Sequence, residues 1–126
     1  MRGIISRIAA DSRLVALIVT ALALALFLIR LTALPQPYFD ETHYVPAARQ
    51  MLAGIGGVNM EHPLLGKRLI ALGIQLFGDN PWGWRLPAAL AGALALFAMM
   101  RAVWWASLSQ KAAAMAGLLL VTNHLL

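Results

Sequence analysis

Residues 14–34 form an almost unbroken apolar run, interrupted only by Arg30 near its end. About 20 consecutive apolar residues is the length at which a helix crosses a bilayer. A spanning backbone must satisfy its own hydrogen bonds, so a segment of this kind has essentially one fold open to it, the α-helix. Two more segments repeat the pattern. Residues 86–105 form a second apolar run, with Pro87 in its expected first turn, where a missing N–H costs little. Trp82 and Trp84 flank one end and Trp104 and Trp105 the other, as an interfacial aromatic belt would. The third run, 112–126, is still apolar where the sequence stops, about five residues short of a span. The expected fold class is all-α, a multi-pass transmembrane helical chain.

Composition agrees. The 126 residues are 61% hydrophobic and 12% charged, against about 45–50% and roughly 25% in soluble domains. There is no cysteine, hence no disulfide framework and no thiolate chemistry. The net charge of +5 comes from ten basic residues scattered along an apolar chain. That pattern points to lipid headgroups or a phosphate-bearing lipid as anionic partner, and away from nucleic acid.

Arg2, Arg7 and Arg13 precede the first run, as in a signal peptide. The run exceeds the roughly 7–15 residues of such a peptide's apolar core, and Pro35-Gln36-Pro37 follows instead of a cleavage site. An uncleaved first span is expected. The implied organisation is a cytoplasmic N-terminus (1–13), a span (14–34), an external loop (35–85), a span (86–105), a cytoplasmic turn (106–111) and a third span cut short (112–126). Charge counting supports this orientation only through the cluster before the first span. Arg2, Arg7, Arg13, Arg101 and Lys111 fall inside, and Arg30, Arg49, Lys67, Arg68 and Arg85 outside. A negatively charged ligand would account for the outer set.

The loop carries two helical patterns. Val45, Ala48, Leu52 and Ile55 recur at helical spacing, with Pro46 in the first turn and Gly54, Gly56 and Gly57 as the stop. Leu65, Leu69, Leu72 and Leu76 form a second stripe, joined by Ile70, Ile74 and Phe77, started by Pro63 and stopped by Gly78-Asp79-Asn80-Pro81. Both are too short to span and suit helices lying flat at the headgroup boundary.

Two constellations carry candidate chemistry. In Phe39-Asp40-Glu41-Thr42-His43-Tyr44, two carboxylates stand just past the first span. Adjacent side chains point in different directions, so Asp40 and Glu41 cannot serve one atom alike. One carboxylate suffices as base for a hydroxyl in a single displacement, leaving the other to orient it, hold the loop or bind sugar hydroxyls. Equally, either residue would cap a helix beginning near Tyr44. In Glu61-His62-Pro63-Leu64-Leu65-Gly66-Lys67-Arg68, a helix start with nearby cations favours phosphate, unless the cations form an ordinary solvated face. Gly66 weakens that turn by roughly 1 kcal/mol, which suits close backbone packing. The spacing of Asp40, His43, Glu61 and His62 matches no closed zinc pattern and leaves an oxygen-ligated magnesium or manganese open. Asn123 and His124 read as interface polar residues.

The stretches YFDETHYVPAARQMLAG and EHPLLGKRLIALGIQLFGDNPWGWRLP resemble the N-terminal part of the protein O-mannosyltransferases, glycosyltransferase family 39 of the GT-C superfamily. That family places an Asp-Glu motif at the start of its first external loop, followed by amphipathic helices and an HPPLGK-like motif. Leu64 stands where the family usually has a second proline.

The resemblance implies an inverting membrane enzyme that moves mannose from a polyprenyl- or dolichyl-phosphate carrier to protein Ser or Thr hydroxyls on the external side. Its partners would be that lipid-linked donor, the acceptor protein and membrane lipids, with no nucleic acid, no metal and no cofactor, and the full-length form as a dimer. By position, Asp40 would be the catalytic acidic residue and Glu41 its partner, with His43, His62, Lys67 and Arg68 binding substrate. Family members are much longer, so the chain is expected to be an N-terminal fragment, inactive alone. The rival readings are a related GT-C transferase using another sugar or a lipid acceptor, and a small non-enzymatic membrane protein whose acidic pair caps a helix. A transporter fragment fits less well, since the polar residues cluster in the loop and not in the spans.

Overall fold

The structure is a computed structural model that describes residues 13–55, 59 and 61–124. Five helices account for it: α1 (Arg13–Ile29), α2 (Glu41–Leu52), α3 (Leu64–Phe77), α4 (Pro81–Ser107) and α5 (Gln110–His124), with no strand among the described residues. The helices divide into two compact units, one of 27–91 and one of the remaining residues on either side.

One helix, α4, is long and apolar enough to cross a membrane. Its 27 residues extend about 40 Å at 1.5 Å per residue. The helix expected at 86–105 is therefore present but longer. Asn80 starts it early, its side-chain oxygen accepting the N–H groups of Trp82 at 2.9 Å and Gly83 at 3.4 Å. Pro81 then takes the first helical position, and Pro87 lies inside the helix instead of at its start. The apolar helices α1, of 17 residues, and Gln110–Thr122 are shorter than a span. The expected first span, 14–34, is helical only to Ile29, and residues 30–36 turn away ahead of Pro37.

In the unit of 13–26 and 92–124, α4 buries Ala93, Leu96, Met100 and Trp104 along one face. Alpha-5 meets that face through Gly117, where an added Cβ would lie 2.7 Å from the Met100 sulfur. Leu108 and Ser109 make the turn, with Leu108 at φ 50° and the Ser109 hydroxyl accepting the Ala112 N–H at 3.3 Å as N-cap. Arg101 stacks 4.8 Å from the Trp104 ring, holding a cation over the aromatic pair.

In the unit of 27–91, α2 packs on α3. Alpha-2 begins at Glu41, three residues before the expected start, so Pro46 falls within the helix on its exposed side. Val45 and Ala48 of the stripe are buried, together with Ala47, whereas Leu52 and Ile55 are exposed. The helix ends in a Schellman motif at Gly54 (φ 76°), with Ile55 N–H donating to the Gln50 carbonyl and Gly54 N–H to that of Met51. Gly56 and Gly57, also expected in this stop, lie outside the described residues, as do residues 1–12 and the side chains of Asn123 and His124.

Alpha-3 turns its small residues toward the rest of the unit and its leucines outward. Its inward side carries Lys67, Ala71 and Gly73, while Leu65 and Leu76 of the leucine stripe are 68% and 65% exposed. Small residues face inward because α3 and α4 approach closely. An added Cβ on Gly73 would run into the Gly83 carbonyl oxygen and come within 2.8 Å of the Pro87 ring. Pro87 has no N–H to offer the Gly83 carbonyl four residues back, and Gly73 is what lets α3 sit against that carbonyl.

Candidate active site

Arg85, near the start of α4, organises the acidic segment. Its Nε and Nη2 donate to the two Glu41 carboxylate oxygens, each at 2.7 Å. Its Nη1 donates to the Leu31 and Leu34 carbonyls, each at 2.7 Å, and Nη2 also reaches the Gln36 carbonyl at 3.1 Å. A helix end leaves carbonyls without partners. Here one planar fork takes carbonyls from the segment after α1 together with a bidentate carboxylate.

Glu41 makes a second local contact, its Oε2 accepting the Tyr38 N–H at 3.1 Å. Burial alone would push the Glu41 carboxyl upward. The hydrogen bonds from Arg85 and Tyr38, with the Arg85 charge, outweigh burial and hold it below the usual carboxylate value.

Asp40 is different in kind. It occupies the N-cap position of α2 in an α-helical backbone conformation (φ −61°, ψ −24°), and its side chain makes no capping hydrogen bond. Its carboxylate is exposed and has no hydrogen-bond or ion-pair partner among the described residues. Phe39 precedes it at φ 51°, a conformation uncommon outside glycine. The Phe39 carbonyl is held by the Thr42 hydroxyl at 2.6 Å. Of the two residues weighed as caps, Glu41 receives a backbone N–H and Asp40 does not.

A second tie closes the other side of the unit. Arg49 of α2 forks onto Asp79 at 2.7 and 3.0 Å, and the Trp84 indole N–H donates to Asp79 at 2.6 Å. The Arg49 guanidinium also lies 5.4 Å from the Trp84 ring centre. The Arg49 hydrogen bond is the main cause holding the Asp79 carboxyl below its ordinary value, ahead of the opposing burial, with Trp84 and the Arg49 charge adding to it.

Two clefts open beside the acidic segment. The first, about 290 Å³, is lined by Arg30, Ala33, Leu34, Tyr38, Glu41 and Arg85. The second, about 470 Å³, is lined by Thr42, His43, Pro46, Ala47, Gln50, Asn59, Glu61 and His62. Glu41 thus lines one cleft, and the next two residues line the other.

His43 and His62, 19 positions apart, are brought to the same cleft, with the His62 ring 5.4 Å from that of Tyr44. Tyr44 packs beside Gly66, where an added Cβ would sit 3.4 Å from its ring, at the edge of ordinary contact. Lys67 is 1% exposed and donates its amine to the Asn59 carbonyl, so it lines neither cleft. Arg68 is exposed on α3 and lines neither cleft. No three potential ligands converge on a metal site among the described residues.

The sequence reading did not single out Arg30, Tyr38 and Arg85 as site residues, nor Gln50 and Asn59. A surplus of basic residues outside was visible, but not which acid or carbonyl each would meet.

The family model described as dolichyl-phosphate-mannose-protein mannosyltransferase matches residues 61–126. The chain belongs to this mannosyltransferase family. The match begins at Glu61 and so includes His62, Lys67 and Arg85, whereas Asp40 and Glu41 precede it. Curated relatives agree. A polyprenol-phosphate-mannose–protein mannosyltransferase of Mycobacterium tuberculosis is 39% identical over 99 residues, covering 74% of this chain and 19% of the relative. The Mycolicibacterium smegmatis protein of the same name is 39% identical over 93 residues, covering 69% and 18%. That of Corynebacterium glutamicum is 37% identical over 107 residues, covering 75% and 21%. This mannosyltransferase-family chain therefore spans about a fifth of the length of the curated relatives it matches. No solved structure matches it. Family membership and the apolar α4 make it a membrane protein.

Proposed function

We propose that this chain supplies the base-bearing segment of a membrane transferase that moves mannose from a polyprenyl-phosphate carrier to a Ser or Thr hydroxyl of a protein. The observation that carries the reading is the division of labour in the acidic pair. Glu41 is tied down by Arg85, and Asp40 is left exposed and unpartnered one residue away. A base must reach an acceptor proton, so an unengaged carboxylate on a fixed backbone is suited to the task. Asp40 takes the proton of the acceptor hydroxyl, whose oxygen bonds to the anomeric carbon from the face opposite the phosphate. The sugar–phosphate bond breaks and the phosphate leaves with the bonding pair, so the anomeric centre inverts.

The first cleft suits the leaving group. Arg30 contributes a guanidinium with no hydrogen-bond or ion-pair partner among the described residues, next to the apolar Ala33 and Leu34. A cation beside apolar wall fits a phosphate carried on a lipid, and stabilises the charge that develops there. The relatives' names specify a polyprenol-phosphate-mannose donor and a protein acceptor. In this reading the loop of 35–85 lies on the external side and the N-terminal segment 1–13 in the cytoplasm.

The test is a chimera in which this chain replaces the matching segment of the Corynebacterium glutamicum relative, assayed for mannosyl transfer to a Ser/Thr peptide. Asp40→Asn is expected to lower kcat about 10²–10⁴-fold with the thermal midpoint of the protein unchanged. Near-normal turnover in that variant removes Asp40 from the chemistry.

A further inference from the structure

Asp40 stands where an aspartate usually spends its carboxylate. It holds the N-cap position of α2, and a capping side chain accepts the N–H of the second or third helical residue, here Thr42 or His43. Both donors are already taken. The Thr42 N–H goes to the Phe39 carbonyl at 3.1 Å and the His43 N–H to the Asp40 carbonyl at 3.0 Å. The Glu41 N–H goes to the Tyr38 carbonyl at 3.0 Å, so backbone carbonyls of the preceding turn close the open helix end. Two backbone features allow this. A capping residue normally has an extended backbone, whereas Asp40 is already helical, at φ −61° and ψ −24°. Phe39 before it is left-handed, at φ 51°. That conformation is strained for a side chain of this size and persists only where other contacts hold it. The Phe39 ring is no anchor, since it is 76% exposed. The anchor is Thr42, whose hydroxyl donates to the Phe39 carbonyl at 2.6 Å beside its own N–H.

We propose that Thr42 is a positioning residue for Asp40, and that the Phe39 carbonyl it clamps is a substitute cap that keeps the Asp40 carboxylate out of its own helix end. The proposal rests on the transferase reading for what the free carboxylate does, but not for why it is free. A carboxylate at the start of a helix is drawn to the N–H groups there and to the positive end of the helix dipole. Side-chain and backbone acceptors compete for the same donors. With the Thr42 hydroxyl removed, Phe39 relaxes to a negative φ and its carbonyl releases the Thr42 N–H. Asp40 then turns back onto the freed donor, and a carboxylate spent on the backbone no longer reaches an acceptor proton. Glu41 does not follow, because Arg85 and the Tyr38 N–H hold both of its oxygens. Thr42 acts in this scheme through the backbone and touches no reacting atom.

The experiment has two readouts. The first is a stability cycle on the 126-residue chain in detergent micelles, which needs no turnover. In the wild type, Asp40→Ala is expected to leave the thermal midpoint nearly unchanged, because the carboxylate caps nothing. In the Thr42→Val background the same change is expected to lower the midpoint by roughly 3–5 °C, the loss of an ordinary N-cap. An equal effect of Asp40→Ala in the two backgrounds overturns the proposal. The second readout is mannosyl transfer by the chimera. Thr42→Val is expected to lower kcat about 5–10-fold, the population ratio that a cap of ordinary strength produces, with KM for donor and peptide unchanged. Thr42→Ser keeps the hydroxyl and is expected to stay within about twofold of the wild-type kcat. Thr42 also lines the second cleft, so a raised KM at unchanged kcat makes it a substrate contact and overturns the proposal. A Thr42→Ser variant as slow as Thr42→Val does the same. The two failures are distinct. A flat stability cycle strikes this proposal while Asp40→Asn still loses turnover, whereas normal turnover in Asp40→Asn strikes the transferase role of Asp40 and leaves the cycle standing.

Discussion

The two clefts of the 27–91 unit share one helix start and are built on opposite principles. Around the first, Glu41 and Arg85 are spent on each other, while the Arg30 guanidinium keeps no partner among the described residues. Arg85 spends its fork on Glu41 and three carbonyls. Around the second, hydrogen-bonding capacity is left over, in His43, His62 and the orphaned Gln50 oxygen. The contrast teaches that adjacent acidic residues need not act as a pair. Glu41 belongs to the locked side as part of the scaffold, and Asp40, one residue before it, lines neither cleft and has its carboxylate uncommitted among the described residues. Rigidity on one side positions a free group for work on the other.

The largest way to break that contrast is to remove the lock. Arg85→Met should destabilise the unit by about 2–4 kcal/mol, because it strands a partly buried carboxylate and three carbonyls together. Chemical denaturation of the chain in detergent should show an earlier transition, and the chimera should lose activity although Asp40 is intact. Arg85→Lys should recover little of this, since an ammonium cannot reproduce the planar fork. If Arg85→Met were as stable as wild type, the locked side would not exist in the folded protein.

Acid should unlock the same contact more gently. Glu41 is held below its ordinary value, so it favours the folded state above that value. Its contribution is lost as pH falls through about 4.3, the usual glutamate value, toward the lower folded one. The thermal midpoint should therefore be level near neutrality and decline below that point. Glu41→Gln should flatten the decline, and an unchanged acid limb in that variant would assign the effect to other carboxylates.

The smallest effect sharpens the comparison by separating the two arginine ties. The Arg49–Asp79 pair is about 43–44% exposed at its side chains, so solvent screens most of its attraction. Asp79→Asn should cost about 1 kcal/mol or less, part of it from the weakened Trp84 indole hydrogen bond. A loss matching that of Arg85→Met would mean that the two ties are equivalent.

Much of this was legible in the sequence, and the rest was hidden for definable reasons. Gly54 as the stop of α2 and Asn80-Pro81 as the boundary before α4 follow from local chemistry. The apolar stripe of α3 was legible, but not which of the remaining residues would pack against the rest of the unit. Periodicity reports that one face is apolar without naming what covers it, and lipid tails are as apolar as leucine. The inward side was chosen instead by Gly73 and the carbonyl that Pro87 leaves without a donor. Lys67 looked like a ligand for phosphate because charge suggests exposure, and only the fold shows it buried against Asn59. The Arg85 clamp joins residues 44 to 54 positions apart, a separation at which sequence carries no local signal. His43 and His62 were both singled out, but their common cleft depends on α2 packing against α3.

The Arg85 fork has one further consequence, for chain length. The segment from Leu31 to Glu41 is fastened at four points to a single side chain, so the path between them is a measured tether. An added residue at Pro35 or Pro37 would have to bulge or release a carbonyl, and a deletion would drag Phe39 and Asp40 off their present course. This stretch should therefore resist insertions and deletions, although it reads simply as a loop between helices.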